Sequence, residues 1–270
     1  IKSGIKEVFI AALDVNPIVR GQGIKALSDA GLIVKHIEQD KAKELHKAFF
    51  HYILYNRPYL TCKIATTIDG KIALSNSSSK WITSKNARDY VQLIRTRYDA
   101  IISGIGTFKK DQPKFNCRIS GIEKDIIKII LDRNLEINVE EINKKEYKGY
   151  LWIFTTSDNH QKIKTIESFN IKVIRLANDM YNNPKKLLEY IANKGITSLF
   201  IEAGHLVTKF MQTNLINEII LFRAAKFLGS DSYNICGDLM LKEIIDAPEY
   251  KLDSIQKIIN NQTIEIYKLK

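Results

Sequence analysis

The chain has 270 residues, 45% of them apolar and 26% charged, with a net charge of +11 and a pI near 9.3. That apolar share supports a packed core and argues against disorder, and no run approaches the roughly eighteen apolar residues of a membrane helix. Cys62, Cys117 and Cys236 stand far apart without a CxxC pair, which argues against a disulfide framework or zinc site and suits reduced thiols in a cytoplasmic protein.

The surplus of basic residues is spread thinly, with no block, stripe or aromatic interleaving, so nucleic acid is not an expected partner. A Lys-, Ile- and Asn-rich composition accounts for much of the charge, and a pocket for a phosphate-bearing ligand would add to it. The chain opens on Ile1 rather than Met, with no basic segment leading into a long apolar run. Residues upstream are therefore expected to be missing from this sequence.

In chain order, Glu7–Leu13 reads as a buried strand, and Asp14–Gly23 as a turn-rich loop with Pro17, Gly21 and Gly23. A helix over Ile24–Ala30 stops at Gly31, Leu32–Ile37 is a second strand, and Gln39–Tyr55 carries a helical period of apolar residues. This β-α-β-α piece buries too little surface to stand alone, and residues 1–56 read as an appendage. Asn56-Arg57-Pro58 breaks the helix, because a residue before proline is pushed out of the helical region. The main domain is therefore placed at 57–270.

Pro58–Ile68 alternates as a strand, Asp69-Gly70 suits a hairpin or tight bend before Lys71–Leu74, and Ser75–Lys80 is a polar loop. A helix capped by Thr83 or Ser84 ends near Arg97, with Ala87, Val91 and Ile94 on its apolar face. Asp99–Ser103 is a buried strand closed by Gly104-Ile105-Gly106-Thr107. Further strands are expected at Ile126–Leu131, Tyr150–Thr155, Ile171–Leu176, Ser198–Ile201 and Glu218–Phe222. Helices are expected around Asn159–Ser168, Pro184–Asn193 and His205–Thr213. Tyr250–Ile255 and Thr263–Leu269 form a closing antiparallel pair. The alternation describes an α/β sheet flanked by helices.

Few stretches carry chemistry on their own. Gly104-Ile105-Gly106-Thr107 follows a strand but fails the dinucleotide fingerprint: Lys109 holds the third glycine position, and no helix is evident there. Glu202-Ala203-Gly204-His205 joins a buried strand to an amphipathic helix. The N–H groups of residues 204 to 208 and the helix dipole would there face an anion such as a pyrophosphate. Glu202 ends an apolar run and either faces solvent or enters a pocket. Arg88 and Arg95, seven apart, share a helix face that is either solvated or one wall of a phosphate pocket. The five histidines show no metal spacing.

Several ordered motifs carry a resemblance. Arg57-Pro58, Lys63-Ile64-Ala65, Asp69-Gly70-Lys71-Ile72-Ala73, Ser79-Lys80-Trp81-Ile82-Thr83, Val91 to Arg95, Gly104 to Thr107, Asp111-Gln112-Pro113 and Phe115-Asn116-Cys117-Arg118 follow one another. Leu131-Asp132, Glu202-Ala203-Gly204 and Lys226-Phe227-Leu228-Gly229 come after. From Arg57 to the C-terminus the chain resembles the reductase domain of the bifunctional riboflavin-biosynthesis deaminase–reductase family. The resemblance implies a dihydrofolate-reductase-like mixed sheet and NADPH as cofactor. The reaction it implies is reduction of the ribosyl group of 5-amino-6-(5-phosphoribosylamino)uracil to ribityl.

Carried over by position, Ser79, Arg95, Phe115, Arg118 and Glu202 would line the substrate site, with the arginines near its phosphate. Ala65, Trp81, Thr107, Asp111, Arg133, Gly204, His205, Leu206, Val207, Thr208, Lys209 and Phe210 would face NADPH. Lys63 and Glu202 are the candidate catalytic residues, one for a proton and one for substrate hydroxyls. Gln112, His205 and Lys209 depart from the family pattern, in place of an acidic residue, a proline and a smaller residue. Glu7 to Asn56 resembles the end of the family's deaminase domain, including the run Asp14 to Gly23. The PCxxC of that domain's zinc chemistry is absent from this sequence, so the chain as given is not expected to deaminate. The same resemblance suggests a homodimer. Alternatives are another reductase of this fold, or a non-catalytic protein binding a nucleotide or RNA.

Overall fold

A computed structural model of the chain describes residues 1–111, 124–143, 150–202, 204–258 and 261–270. Two compact units are present, Ile1–Tyr59 with Glu189–Thr197, and Leu60–Leu188 with Ser198–Lys270.

The first unit pairs β1 (Glu7–Ile10) with β2 (Ile33–His36) in parallel, joined through α1 (Gln22–Asp29). The single helix expected over Gln39–Tyr55 is two, α2 (Gln39–Leu45) and α3 (Lys47–Tyr55). His46, at φ −104° and ψ 19°, leaves the helical well, although its N–H still donates to the Ala42 carbonyl and its own carbonyl accepts from the Phe50 N–H, each at 3.0 Å. None of residues 1–57 is buried, and Ile1, Ile5, Phe9, Ile18, Ile33, Leu45 and Leu54 are exposed. A piece of this size does not enclose a core of its own.

The second unit is built on a nine-stranded sheet that starts with β3 (Tyr59–Thr67). Its other strands are β5 (Ala100–Gly104), β6 (Ile127–Leu131), β7 (Leu151–Thr155), β8 (Lys172–Arg175), β9 (Ser198–Ile201), β10 (Glu218–Ala224), β12 (Tyr250–Ile258) and β13 (Gln262–Leu269). Their spatial order is β12-β13-β10-β3-β9-β5-β6-β7-β8. The run from β9 through β5, β6 and β7 to β8 is parallel, as is β10 beside β3, while β13 and β12 close one edge antiparallel. This is the mixed, helix-flanked α/β sheet that the alternation implies. The central strands β5, β6, β7 and β9 are buried nearly throughout, as a sheet covered on both faces requires.

Helices α4 (Lys85–Arg95), α5 (Ile105–Asp111), α6 (Val139–Asn143), α7 (His160–Glu167), α8 (Asn178–Asn182), α9 (Pro184–Ala192) and α10 (Gly204–Met211) complete the chain order. Ala87, Val91 and Ile94 of α4 pack into a core with Ile101, Ile130, Phe200 and Phe222. The cap of α4 is Ser84, whose hydroxyl accepts from the Ala87 N–H at 3.3 Å.

Three local outcomes refine or correct the sequence reading. Of the hairpin and the tight bend offered at Asp69-Gly70, the bend is realised: β4 (Lys71–Ala73) pairs with the short β11 (Tyr233–Asn234) rather than with β3. Gly70 sits at φ 73°, where a side chain would be strained. Asp69 anchors the bend by accepting from the N–H groups of Leu228 and Gly229 at 3.1 and 2.9 Å. Secondly, a helix does open after Gly104, since Ile105 begins α5 directly at the end of β5. Finally, the short helices α6 and α8 had no legible period, because five residues span little more than one turn.

Candidate active site

The parallel strands end on one side of the sheet, and there the chain gathers charge. On β3, Lys63 and Ala65 are two apart and therefore share a face. Glu202 follows β9 immediately, and β9 neighbours β3 in the sheet. Arg95, the last residue of α4, reaches the same spot. Its Nε donates to Glu202 Oε1 at 2.6 Å and its Nη2 to Oε2 at 2.7 Å, while Nη1 donates to Gln92 at 3.3 Å. The paired side chains are only 13% and 11% exposed. Such a two-pronged guanidinium–carboxylate contact is short and directional.

Burial alone would raise the Glu202 carboxyl pKa. The charge and hydrogen bonds of Arg95, with the charge of Lys63, outweigh it and hold the group below the ordinary value. Burial lowers the pKa of the Lys63 ammonium, Glu202 opposes that, and Arg95 adds to it; the net direction is down. Lys63 Nζ also lies 5.9 Å from the Phe222 ring centroid. A lysine more easily deprotonated than usual thus sits beside an ionised carboxylate at the floor of a cleft.

That cleft has two lobes, of about 430 Å³ and about 690 Å³, sharing Ile72, Ser79, Thr107, Glu202, Gly204 and Ile235. Lys63, Ala65, Trp81, Arg88, Arg95 and Val207 belong to the smaller lobe. Gly104, Gly106, Lys110, Leu206, Thr208 and the 232–237 loop line the larger. The starts of α5, which runs straight on from β5, and of α10, which begins shortly after β9, line this space, as at the strand ends of other open α/β sheets. At Gly204 a Cβ would stand 3.3 Å from Ile72 Cδ1, so the helix start lies close against β4.

Most of the residues singled out in the sequence are brought together here: Lys63, Ala65, Ser79, Trp81, Arg95, Thr107, Glu202, Gly204, Leu206, Val207 and Thr208. Of the two options for Glu202, the pocket is realised. Arg95, read as a phosphate ligand, has two of its donors engaged by Glu202. Arg133 lines neither lobe; its guanidinium lies 4.8 Å from the Tyr181 ring centroid and donates to Asn178 and Asn182. Lys209 is near enough to Arg133 that this charge, after partial burial, lowers its pKa. Phe210 is packed into the core at 1% exposure and lines neither lobe. Phe115 and Arg118, with Gln112, lie outside the described residues, as do the side chains of Asp111 and His205.

Sequence reasoning missed the Ser232–Gly237 segment. The only signal was a polar, glycine-containing stretch between two strands. It reaches the cleft because β11 pairs with β4 and because the Gly237 N–H donates to Thr208 Oγ1 at 2.9 Å. Lys71, 9% exposed, holds the segment by donating to Asn234 Oδ1 at 2.7 Å.

Comparison with known proteins places this geometry. The family model described as RibD C-terminal domain matches residues 58–264. The chain belongs to the RibD C-terminal domain family. Riboflavin biosynthesis protein RibD of Aquifex aeolicus is 33% identical over 262 residues, covering 96% of this chain and 71% of the relative. The protein of the same name from Bacillus amyloliquefaciens is 36% identical over 231 residues, covering 84% of this chain and 62% of the relative. Among solved structures, Acinetobacter baumannii RibD superposes with a TM-score of 0.86 at 25% identity, over all of this chain and 74% of that one. The Saccharomyces cerevisiae riboflavin biosynthesis reductase Rib7 shares the fold, with a TM-score of 0.59 at 16% identity, over 85% of this chain and 100% of that one. The relatives match beyond the family model, so residues before 58 belong to the similarity as well.

Proposed function

We infer that this riboflavin-pathway reductase uses NADPH to convert the ribosylamino group of 5-amino-6-(5-phosphoribosylamino)uracil to ribitylamino. The observation that carries the reading is the Lys63–Glu202–Arg95 cluster on the floor of a two-lobed cleft, in a chain of this family. A dinucleotide fits that cleft on physical grounds. Its two lobes fall in the range of about 300–1,000 Å³ usual for ligand pockets. The α10 start offers backbone N–H groups to a pyrophosphate. The cofactor, when bound, supplies hydride, and the protein supplies position and a proton.

Ring opening leaves a C1=N double bond, the former ring oxygen taking the proton that the nitrogen gives up, and reduction adds a hydride at C1 and a proton at nitrogen. Lys63 Nζ is the proton donor in this reading, because burial weakens its hold on the proton. Ionised Glu202 keeps that ammonium oriented and leaves oxygen lone pairs for substrate hydroxyls. Arg95 holds the carboxylate in place, and Ser79, at the junction of the lobes, meets the substrate. A folded, purified chain that fails to oxidise NADPH with the aminouracil ribosyl substrate overturns the assignment.

Residues 1–56 are carried as the end of a deaminase-like domain. Support comes from the parallel β1–β2 pair, the lack of any buried residue in 1–57, and relatives that match 96% of the chain. The homodimer has one support, the edge strand β12, on which Leu252 and Ile255 are exposed. Among the described residues no helix is long and apolar enough to cross a membrane.

A further inference from the structure

Trp81 is 60% exposed at the rim of the smaller lobe, an unusual place for the largest aromatic side chain. It is held there by contacts of two kinds. The Arg88 guanidinium lies 3.9 Å from the indole centroid, covering one face, and its Nη1 donates to the Thr83 carbonyl at 2.8 Å. The Lys226 ammonium, from the segment after β10, donates to the Trp81 carbonyl at 2.9 Å. Lys80 Nζ stands 5.9 Å from the same ring. Neither Arg88 nor Lys226 has a carboxylate partner among the described residues. Thr83 is buried, at 8% exposure, so the anchor that Arg88 uses is fixed in the protein body.

We propose that Arg88 and Lys226 are positioning residues that clamp Trp81, so that the uncovered face of its indole forms a preformed stacking surface for a flat heterocycle entering the cleft. This rests on the reductase reading and deepens it. A guanidinium stacked on indole is stronger than one left in water, and it confines the ring to one orientation. The backbone tie from Lys226 fixes the other end of the residue, joining the loop before α4 to the segment after β10. Restricting the ring before binding lowers the entropy lost when a ligand stacks on it. The heterocycle is either a base of the dinucleotide or the pyrimidine of the substrate. Both are flat and both arrive with phosphate, which suits the three cations.

The test is a fluorescence titration of the full chain carrying Trp152→Phe, which leaves Trp81 as its only tryptophan. NADPH and, separately, uridine monophosphate are the probes, the second standing for a phosphoribosyl pyrimidine. Arg88→Gln, Arg88→Lys and Lys226→Met are compared with the Trp152→Phe parent, alongside melting temperature and steady-state kinetics. The expected result for Arg88→Gln is weaker binding of one probe by about three- to thirtyfold, reduced Trp81 quenching, and a rise in KM with kcat changed less than twofold. Arg88→Lys, which keeps charge and loses the planar stack, falls between, and Lys226→Met weakens the same probe. The probe affected identifies the heterocycle. Unchanged affinity and quenching in Arg88→Gln overturn the proposal. So does a fall in melting temperature with kcat and KM altered together and Arg88→Lys fully restored, which marks a structural residue. Failure of the parent to bind NADPH or turn over substrate overturns the reductase reading, and this proposal with it.

Discussion

Replacing Glu202 by glutamine asks whether charge holds the floor of the cleft together. The carboxylate takes two hydrogen bonds from Arg95 at 2.6 and 2.7 Å, and both side chains are almost withdrawn from water. Glutamine keeps the shape but removes the charge, leaving the Arg95 guanidinium and the Lys63 ammonium as like charges without a counterion between them. Breaking one side of a buried pair costs about 3–5 kcal/mol. The amide can still accept one hydrogen bond, which places Glu202→Gln near the lower end, about 2–3 kcal/mol. For a unit of this size, that corresponds to a melting point lower by about 4–12 °C.

The loss should also depend on pH. Lys63 already has a folded-state pKa below its ordinary 10.5, and Glu202 is the group that opposes this lowering. Without Glu202 the folded pKa drops further, so between it and 10.5 the unfolded chain binds more protons and stability rises with pH. Urea melts at neutral pH and near pH 9.5 should show a smaller deficit at the higher value. The double variant Arg95→Met/Glu202→Gln removes both partners and should cost less than the sum of the single variants, with a coupling above about 1 kcal/mol. Additive single effects, or a deficit that ignores pH, would refute the charged-cluster argument.

Other consequences concern catalysis, acid stability and capping. Lys63→Met should lower kcat by about a hundredfold or more while NADPH affinity, read by fluorescence, stays near the parent value; an unaltered kcat removes the proton-donor role. Glu265 accepts from Arg223 at 2.8 and 2.9 Å and also from Thr263 and Tyr267, which draws its pKa from 4.5 to about 2. Its contribution is complete above 4.5 and lost as the pH falls through about 2, so Glu265→Gln should flatten the acid limb of the stability curve by about 1–3 kcal/mol. Equal pH slopes for parent and variant would contradict this. Ser84→Ala removes the acceptor for the Ala87 N–H and should cost about 1 kcal/mol in urea melts, whereas no loss would mean that water replaces the cap.

Local pattern carried much of the architecture. The largely apolar runs at Ile129–Leu131, Leu151–Thr155 and Ser198–Ile201 declare buried strands, because a strand covered on both faces is near-continuously apolar. Ser84 declares a helix start and the Tyr250–Leu269 pair an antiparallel edge, since caps and alternation are properties of neighbouring residues. The break at His46 and the five-residue helices α6 and α8 left no such mark. Nor did the pairing of β4 with β11, whose residues are some 160 positions apart.

The site divides in the same way. By itself the sequence determined which residue types stand on and just after the strands: Lys63 within an apolar strand, Glu202 closing another, and a glycine opening α10. Motif order linked them to one reductase family. Only the tertiary structure decided that Arg95, 107 residues before Glu202, takes both oxygens of that carboxylate. It also packed Phe210 into the core, set Arg133 on Tyr181, and brought Ser232–Gly237 to the cleft. Sequence pattern reports what each element must bury. Which charge meets which carboxylate depends on strand order, and strand order is settled by packing across the whole sheet.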